Sequence, residues 1–166
     1  PWLIILLIAG TLTTNVISAF EPIIAAAGFL VWFVPVITQT GGNSGTQSST
    51  LMIRGIATGE IHFRDFLKII GKESLVGLLM GLILAVVIIL RGILLPPGVL
   101  PEQAVAIGAA LLFVVVFSSV IGAFAPLIIH RLGFDPTVMA GPLMATVIDV
   151  AGLTIYFEAA RFILGL

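Results

Sequence analysis

The sequence predicts an all-α integral membrane bundle of five transmembrane helices, and three observations carry that prediction. Only 9% of the 166 residues are charged and 60% are hydrophobic, whereas soluble domains carry about 25% charged residues. Mean hydropathy is +1.28. Several apolar stretches approach the roughly 20 residues that a membrane-crossing helix needs, and these long runs do not alternate polar with apolar as barrel strands do. A chain of this composition cannot cover itself with a solvated surface. That excludes a soluble enzyme core, a nucleic-acid-binding module and a disordered tail. A net charge of −1 offers polyanions no basic field. The lack of cysteine removes disulfides, thiolate metal sites and thiol redox chemistry, and two histidines are too few for a His-rich zinc site. The chain starts at Pro1 rather than Met and reads as part of something longer. Residues 2–20 lack the basic start and cleavage pattern of a signal peptide.

The spans follow in order within a single transmembrane domain covering residues 1–166. The first, 2–20, stops at Glu21-Pro22, a pair that ends one helix and starts another. The second covers 22–51 and turns polar in its later part. The third, 74–95, closes at Pro96-Pro97-Gly98. The fourth covers 103–130, with Pro126 near its end. The fifth covers 136–164, where Asp135 is an N-cap and Pro136 occupies the first helical position. An odd number of spans, with no internal repeat, argues against an inverted duplication within the chain. Between spans two and three, residues 60–71 set Ile61, Phe66, Leu67, Ile69 and Ile70 among Arg64, Asp65 and Lys68. This segment reads as an amphipathic helix on the membrane surface.

Lys and Arg in the loops give the orientation. Arg54, Arg64, Lys68 and Lys72 fall between spans two and three, and Arg131 between spans four and five. The opposite side has Arg91 and Arg161, near span ends. The basic side is expected to be cytoplasmic, with the N-terminus cytoplasmic and the C-terminus external, in a prokaryotic inner or plasma membrane.

Two features point to cation chemistry. From Thr38 to Thr50, thirteen consecutive residues are Gly or uncharged polar. The stretch from Pro22 to Leu51 would be about 45 Å long as a helix, against a hydrocarbon core of about 30 Å. The polar run therefore ends span two at the inner side or faces a water-filled space within the membrane. Its carbonyl and amide oxygens are hard ligands that suit hydrated cations, while Gly permits close approach or local unwinding. The plain alternative is a flexible Gly/Ser loop. The second feature is Asp149, near the middle of the last span. A charged Asp there costs about 2.5–3.5 kcal/mol, and no mid-span Lys or Arg exists to pair with it. Either the carboxylate meets water and a cation, or a Ser or Thr of a neighbouring helix satisfies it. Thr11, Thr14, Asn15 and Ser18 form a stripe suited to interhelical hydrogen bonding, and Gly77 and Gly81 form a Gly-x-x-x-Gly packing face. Glu21 and Glu158 lie near the external side, where they would attract cations or be solvated.

Two longer motifs resemble a known family. Pro35-Val36-Ile37-Thr38-Gln39-Thr40-Gly41-Gly42-Asn43-Ser44-Gly45-Thr46-Gln47, followed by Arg54 and Gly59-Glu60-Ile61, resembles the second-span signature of the MgtE magnesium channels. Leu132-Gly133-Phe134-Asp135-Pro136, Gly141-Pro142, Thr146, Asp149, Gly152 and Ile155-Tyr156-Phe157 resemble that family's last span. Pro1-Trp2-Leu3 looks like the start of its membrane domain. The resemblance implies a homodimer of five helices per subunit in the lipid bilayer, with a pore between the second and fifth helices of both subunits. It implies that Asp149 of each chain is the selectivity ligand for Mg²⁺, with the backbone carbonyl of Ala145 assisting. It further implies a pore lined by Asn43, Gly41, Gly42 and Gly45 of span two and by Thr146 and Gly152 of the last span. Family members usually carry cytosolic regulatory domains before the membrane part, and none is expected within residues 1–166.

The physics is compatible with that implication. Mg²⁺ dehydrates reluctantly and keeps several waters in an octahedral oxygen shell. A two-fold axis brings two Asp149 carboxylates together without a second acid in the same chain, and a divalent ion relieves their repulsion. The expected function is a Mg²⁺ channel or transporter domain and not an enzyme. No His lies beside a Ser or Asp in a nucleophilic arrangement, and His62 and His130 are both expected near the inner surface. The alternatives are a proton- or sodium-coupled secondary cation transporter and a non-transporting scaffold.

Overall fold

The computed structural model describes residues 2–166, and of Trp2, Ile5 and Pro142 it describes the backbone alone. The expected domain start at Pro1 lies outside the described residues. All regular structure among them is helical. The first helix, α1 (Trp2–Ala19), gives way at Glu21-Pro22 to the short α2 (Glu21–Ala26), where Pro22 sits in the first turn and needs no N–H donor. The chain then breaks. Ala27 leaves the helical region at φ −136° and ψ 64°. Helix resumes through tight bonds from the N–H groups of Leu30, Val31 and Trp32 to the carbonyls of Ala27, Gly28 and Phe29. These are 3₁₀-type bonds that tighten a helix start. The second apolar run is thus two helices, the longer being α3 (Leu30–Ala57).

The polar run 38–50 is helical throughout and is not a loop. Each Gly in a helix costs about 1 kcal/mol relative to Ala. Here Gly41 and Gly45 are buried against neighbouring helices, so packing offsets that cost. After α3 the backbone turns at Gly59, whose φ is +73°. The N–H groups of Gly59 and Glu60 donate to Ile56 and Gly55, closing the helix end. A single 3₁₀ turn, Phe63–Asp65, leads directly into α4 (Phe66–Leu94). Residues 66–71 are therefore the first turns of α4 and form no separate helix. No proline interrupts them, and the buried stripe Ile69, Glu73, Gly77, Gly81, Ala85, Ile88 and Gly92 runs through at helical spacing.

Helix α5 (Pro101–Arg131) and helix α6 (Pro136–Leu164) complete the chain. The α4–α5 connection is held by Arg91, whose guanidinium donates to the carbonyls of Pro96 and Pro97 at 3.3 Å each. The same guanidinium lies 5.2 Å from the ring centre of Phe33. Helix α5 ends in a second glycine turn, with Gly133 at φ +82°. Asp135 then caps α6. Its Oδ1 accepts from the backbone N–H of Thr137 at 2.8 Å and from the Thr137 hydroxyl at 2.7 Å. The Thr137 hydroxyl and then its N–H hold the Asp135 carboxyl below the ordinary carboxylate range.

Helix α5 is the centre of the bundle, packed by α3, α4 and α6, while α3 also packs on α6 and α1 lies against α6. Buried Leu30, Phe33, Ile37, Leu111, Tyr156 and Phe157 belong to the main core. Phe20 stacks on Phe157 at 5.1 Å, and the buried Tyr156 hydroxyl donates to the Leu30 carbonyl at 2.9 Å. Gly77 and Gly81 form a packing face, since a Cβ at Gly77 would stand 3.0 Å from Val116 Cα and one at Gly81 3.2 Å from the Leu112 carbonyl oxygen. Gly122 of α5 meets Gly45 of α3 backbone to backbone, and a Cβ at Gly122 would collide with the Gly45 carbonyl. The hydroxyls of Thr11 and Thr14 turn back to the carbonyls of Ile8 and Gly10 in their own helix. The α1 stripe thus makes no interhelical hydrogen bond among the described residues.

Three helical segments, Phe63–Leu94, Pro101–Arg131 and Pro136–Leu164, are long and apolar enough to cross a membrane, and α1 contributes a shorter apolar stretch, Leu6–Ala19. Helix α3, at 28 residues, has the length but carries the polar run.

The glycine contacts make a prediction. Gly122→Ala meets backbone that cannot swing away, and overpacking of this kind costs about 1–3 kcal/mol. Gly42→Ala meets open space and gains helix propensity. Thermal unfolding in detergent should show a lowered midpoint for the first variant and an unchanged or raised one for the second.

Candidate functional site

Helical periodicity divides α3 into two unlike faces. Leu30, Phe33, Ile37, Gly41, Gly45, Ser48 and Met52 are buried against the rest of the chain. Gln39, Asn43, Thr46, Gln47 and Thr50 are exposed. An amide and hydroxyl stripe therefore stays uncovered along a helix about 42 Å long. At its lower part Thr46, Gln47, Thr50 and Leu51 line an open cavity of about 390 Å³.

On α6, Gly141, Ala145 and Asp149 follow at four-residue spacing. Gly141 and Ala145 are exposed, and Asp149 and Thr146 are half-buried. The neighbouring Ile148 is buried and reaches α3, where its side chain occupies the space that a Cβ on Gly45 would need. A Cβ on Gly41 would stand 3.1 Å from Ile148 Cγ2 and 2.9 Å from Val114 Cγ1. Gly152 is buried near Val114 and Ile148. The predicted site residues thus fall into two groups. Asn43, Ala145 and Asp149 lie on uncovered or half-covered faces, as do Gly42 and Thr146, whereas Gly41, Gly45 and Gly152 lie inside the α3–α5–α6 contact and let those helices approach.

No hydrogen bond or ion pair reaches the Asp149 carboxylate among the described residues. The close contacts between basic and acidic side chains among those residues lie elsewhere, at His62–Asp65 (4.0 Å, an ion pair only where the imidazole is protonated) and Arg161–Glu158 (3.2 Å). The second of these gives Glu158 a local partner at the end of α6. Among the described residues no three His, Asp or Glu side chains cluster as a metal site, so one chain brings a single carboxylate to this face.

The structure also shows polar anchors that sequence reasoning missed. Glu73 of α4 is only 5% exposed, and its Oε2 accepts from the Ser48 hydroxyl at 2.7 Å. One turn along α3, the Ser44 and Ser119 hydroxyls share a hydrogen bond of 2.8 Å. These bonds fasten the buried side of α3 to α4 and α5 and turn its amide-bearing side outward. The available signal was that Glu73 stands four residues before Gly77, on the small-residue face of α4. Placing the span start at Ser74 hid it.

An all-helical bundle of membrane-crossing length, with an uncovered amide stripe on α3 and a lone carboxylate on the helix packed against it, defines a polytopic membrane protein with a hydrophilic face. Residues 34–159 match the family model MgtE, described as a divalent cation transporter. The chain is 38% identical to the magnesium transporter MgtE of Thermus thermophilus over 98% of its own length and 36% of that protein. It is 32% identical to the magnesium transporter MgtE of Bacillus subtilis over 96% of its length, and 35% identical to that of Enterococcus faecalis over 96%. The chain spans about a third of the length of these relatives. It belongs to the MgtE family.

The Ser48–Glu73 bond yields a further test. Ser48→Ala leaves a buried carboxylate oxygen without its donor, a loss of about 1–3 kcal/mol. Ser44→Ala breaks a half-buried bond between neutral hydroxyls and should cost less. Chemical denaturation in detergent micelles should rank the two variants in that order.

Proposed function

We propose that this chain is the membrane domain of a Mg²⁺ channel that works as a homodimer, with five spans per subunit once α1 and α3 are counted with α4, α5 and α6. The observation that carries this reading is the uncovered polar side of α3, a helix packed on the α6 that bears the half-buried Asp149. Lipid cannot hydrogen-bond Gln39, Asn43, Thr46 and Gln47, and it makes a mid-span carboxylate costly. A second copy related by a two-fold axis supplies matching polar faces and a second Asp149. The space between them admits water, and the paired carboxylates hold a divalent cation that keeps most of its hydration shell.

In this reading Asp149 of each subunit is the selectivity ligand, with the Ala145 carbonyl one turn earlier assisting. Asn43, Gly42 and Thr146 line the route. Gly41, Gly45 and Gly152 act one layer behind, by setting how closely the walls approach. The names of the related magnesium transporters support Mg²⁺ as the transported ion, and their greater length supports cytosolic regulatory domains elsewhere in the full protein. The excess of Lys and Arg at the α3–α4 and α5–α6 connections supports a cytoplasmic N-terminus and an external C-terminus.

The test replaces Asp149 with Asn and with Ala and measures Mg²⁺ uptake in a transport-deficient host. Both variants should lose most uptake, and Asp149→Asn should lose discrimination against monovalent ions. Uptake and selectivity equal to the parent protein in both would refute the assignment. In proteoliposomes, the Mg²⁺ current should persist with no gradient of H⁺ or Na⁺. A current that vanished under those conditions would show coupled transport instead of a channel.

A further inference from the structure

Both histidines of the sequence line one cavity, which shares no residue with the proposed pore. It lies where α3 and α5 end, has a volume of about 500 Å³, and brings His62, Phe63, His130 and Arg131 together over Ile56 and Leu127. The guanidinium carbon of Arg131 lies 4.0 Å from the centre of the Phe63 ring. This cation–π contact fixes the charge in place without using its N–H groups, and no carboxylate pairs with Arg131 among the described residues. The nearby acid is Asp65, which accepts from the backbone N–H of His62 at 3.1 Å and stands 4.0 Å from the His62 ring nitrogen. Asp65 itself lines the neighbouring cavity with Glu60 and Glu73.

The surroundings match the headgroup level of a bilayer. Phe63, Leu67, Leu132 and Phe134 are exposed among exposed Arg64, Lys68 and Arg131, so apolar bodies can enter the acyl boundary while charged tips stay at the phosphates. The cavity repeats this division internally, with an apolar floor and a rim of cationic and imidazole donors.

We propose that this cavity binds an anionic phospholipid. The phosphodiester oxygens accept from Arg131 and from the imidazole N–H groups of His62 and His130, and an acyl chain lies over Ile56 and Leu127. A neutral imidazole still donates one N–H, so the site does not require protonated histidine. Basic pockets between helix ends at the membrane surface are a recurrent solution for anionic headgroups. The inference rests on α3 and α5 crossing the bilayer, as in the proposed channel, but not on where ions pass.

The experiment uses the full protein in phosphatidylcholine nanodiscs containing stepped fractions of phosphatidylglycerol, with native mass spectrometry of the lipids retained on release. The parent protein should keep phosphatidylglycerol in preference to phosphatidylcholine. Arg131→Gln should reduce that preference about tenfold, the effect of losing one charge-assisted hydrogen bond to a phosphate oxygen. His130→Gln leaves the Arg131–Phe63 contact in place and should also reduce the preference, so a folding defect in the first variant does not decide the matter. Lys72→Gln, outside the cavity, should leave it unchanged. Equal retention by the parent, Arg131→Gln and His130→Gln would overturn the proposal. So would inorganic phosphate at millimolar concentration displacing the lipid and taking its place, which would identify the ligand as a free anion. Mg²⁺ flux measured on the same variants in sealed proteoliposomes of matching lipid composition separates the two ideas. Flux with indifferent lipid retention defeats the lipid site alone, and selective retention without flux defeats the channel alone.

Discussion

Hydrocarbon offers no hydrogen bonds, and that constraint organises this molecule. A helix with amides and hydroxyls along one side cannot leave that side in lipid. Helix α3 has such a side, and nothing among the described residues covers Gln39, Asn43, Thr46, Gln47 or Thr50. The apolar and small residues of α3 are spent inward, on α5 and α6. What remains outward needs water or other polar groups to hydrogen-bond it. Asp149, on the α6 packed against α3, is under the same constraint, since a charged carboxylate is costlier to leave in lipid than an amide.

The inward side explains why the outward side is so defined. Gly45 against Gly122 brings two backbones into contact, and Ile148 fills the hollow that Gly45 leaves. The Ser44–Ser119 and Ser48–Glu73 hydrogen bonds lie on the same side and fasten α3 to both α5 and α4. Buried polar pairs of this kind are costly when half-satisfied, which makes them effective in specifying one arrangement. Helix α5, with its dense burial, is the common wall on which α3, α4 and α6 are set.

Much of the fold was legible because its signals are local. Glu21-Pro22 separates α1 from α2, Asp135-Pro136 starts α6 with the Thr137 bonds that an N-cap calls for, and Gly77 with Gly81 marks the face that α4 turns to α5. The break at 27–29 carried no proline and was not legible, since it is made by backbone bonds at Gly28 and Phe29. Glu73 looked like a loop residue because its burial depends on Ser48, 25 residues away. Within the site, the residue types were readable and their facing was not. Composition marked 38–50 as polar, but only helix packing separates Asn43, which is uncovered, from Gly41 and Gly45, which are inside. The α1 stripe misled for a related reason: Thr hydroxyls can satisfy themselves on the preceding turn, so a polar stripe does not by itself name a neighbour.

The backbone meeting of Gly45 with Gly122 has a mechanical consequence. Any roll of α3 about its own axis would bring a residue with a side chain to a spot that holds only hydrogen. Helices α3 and α5 are therefore keyed together in one angular setting and travel as a single strut. Any change in the spacing between these two helices and what faces them comes from tilting that strut as a whole, or from displacing the facing element, and not from turning one helix like a tap.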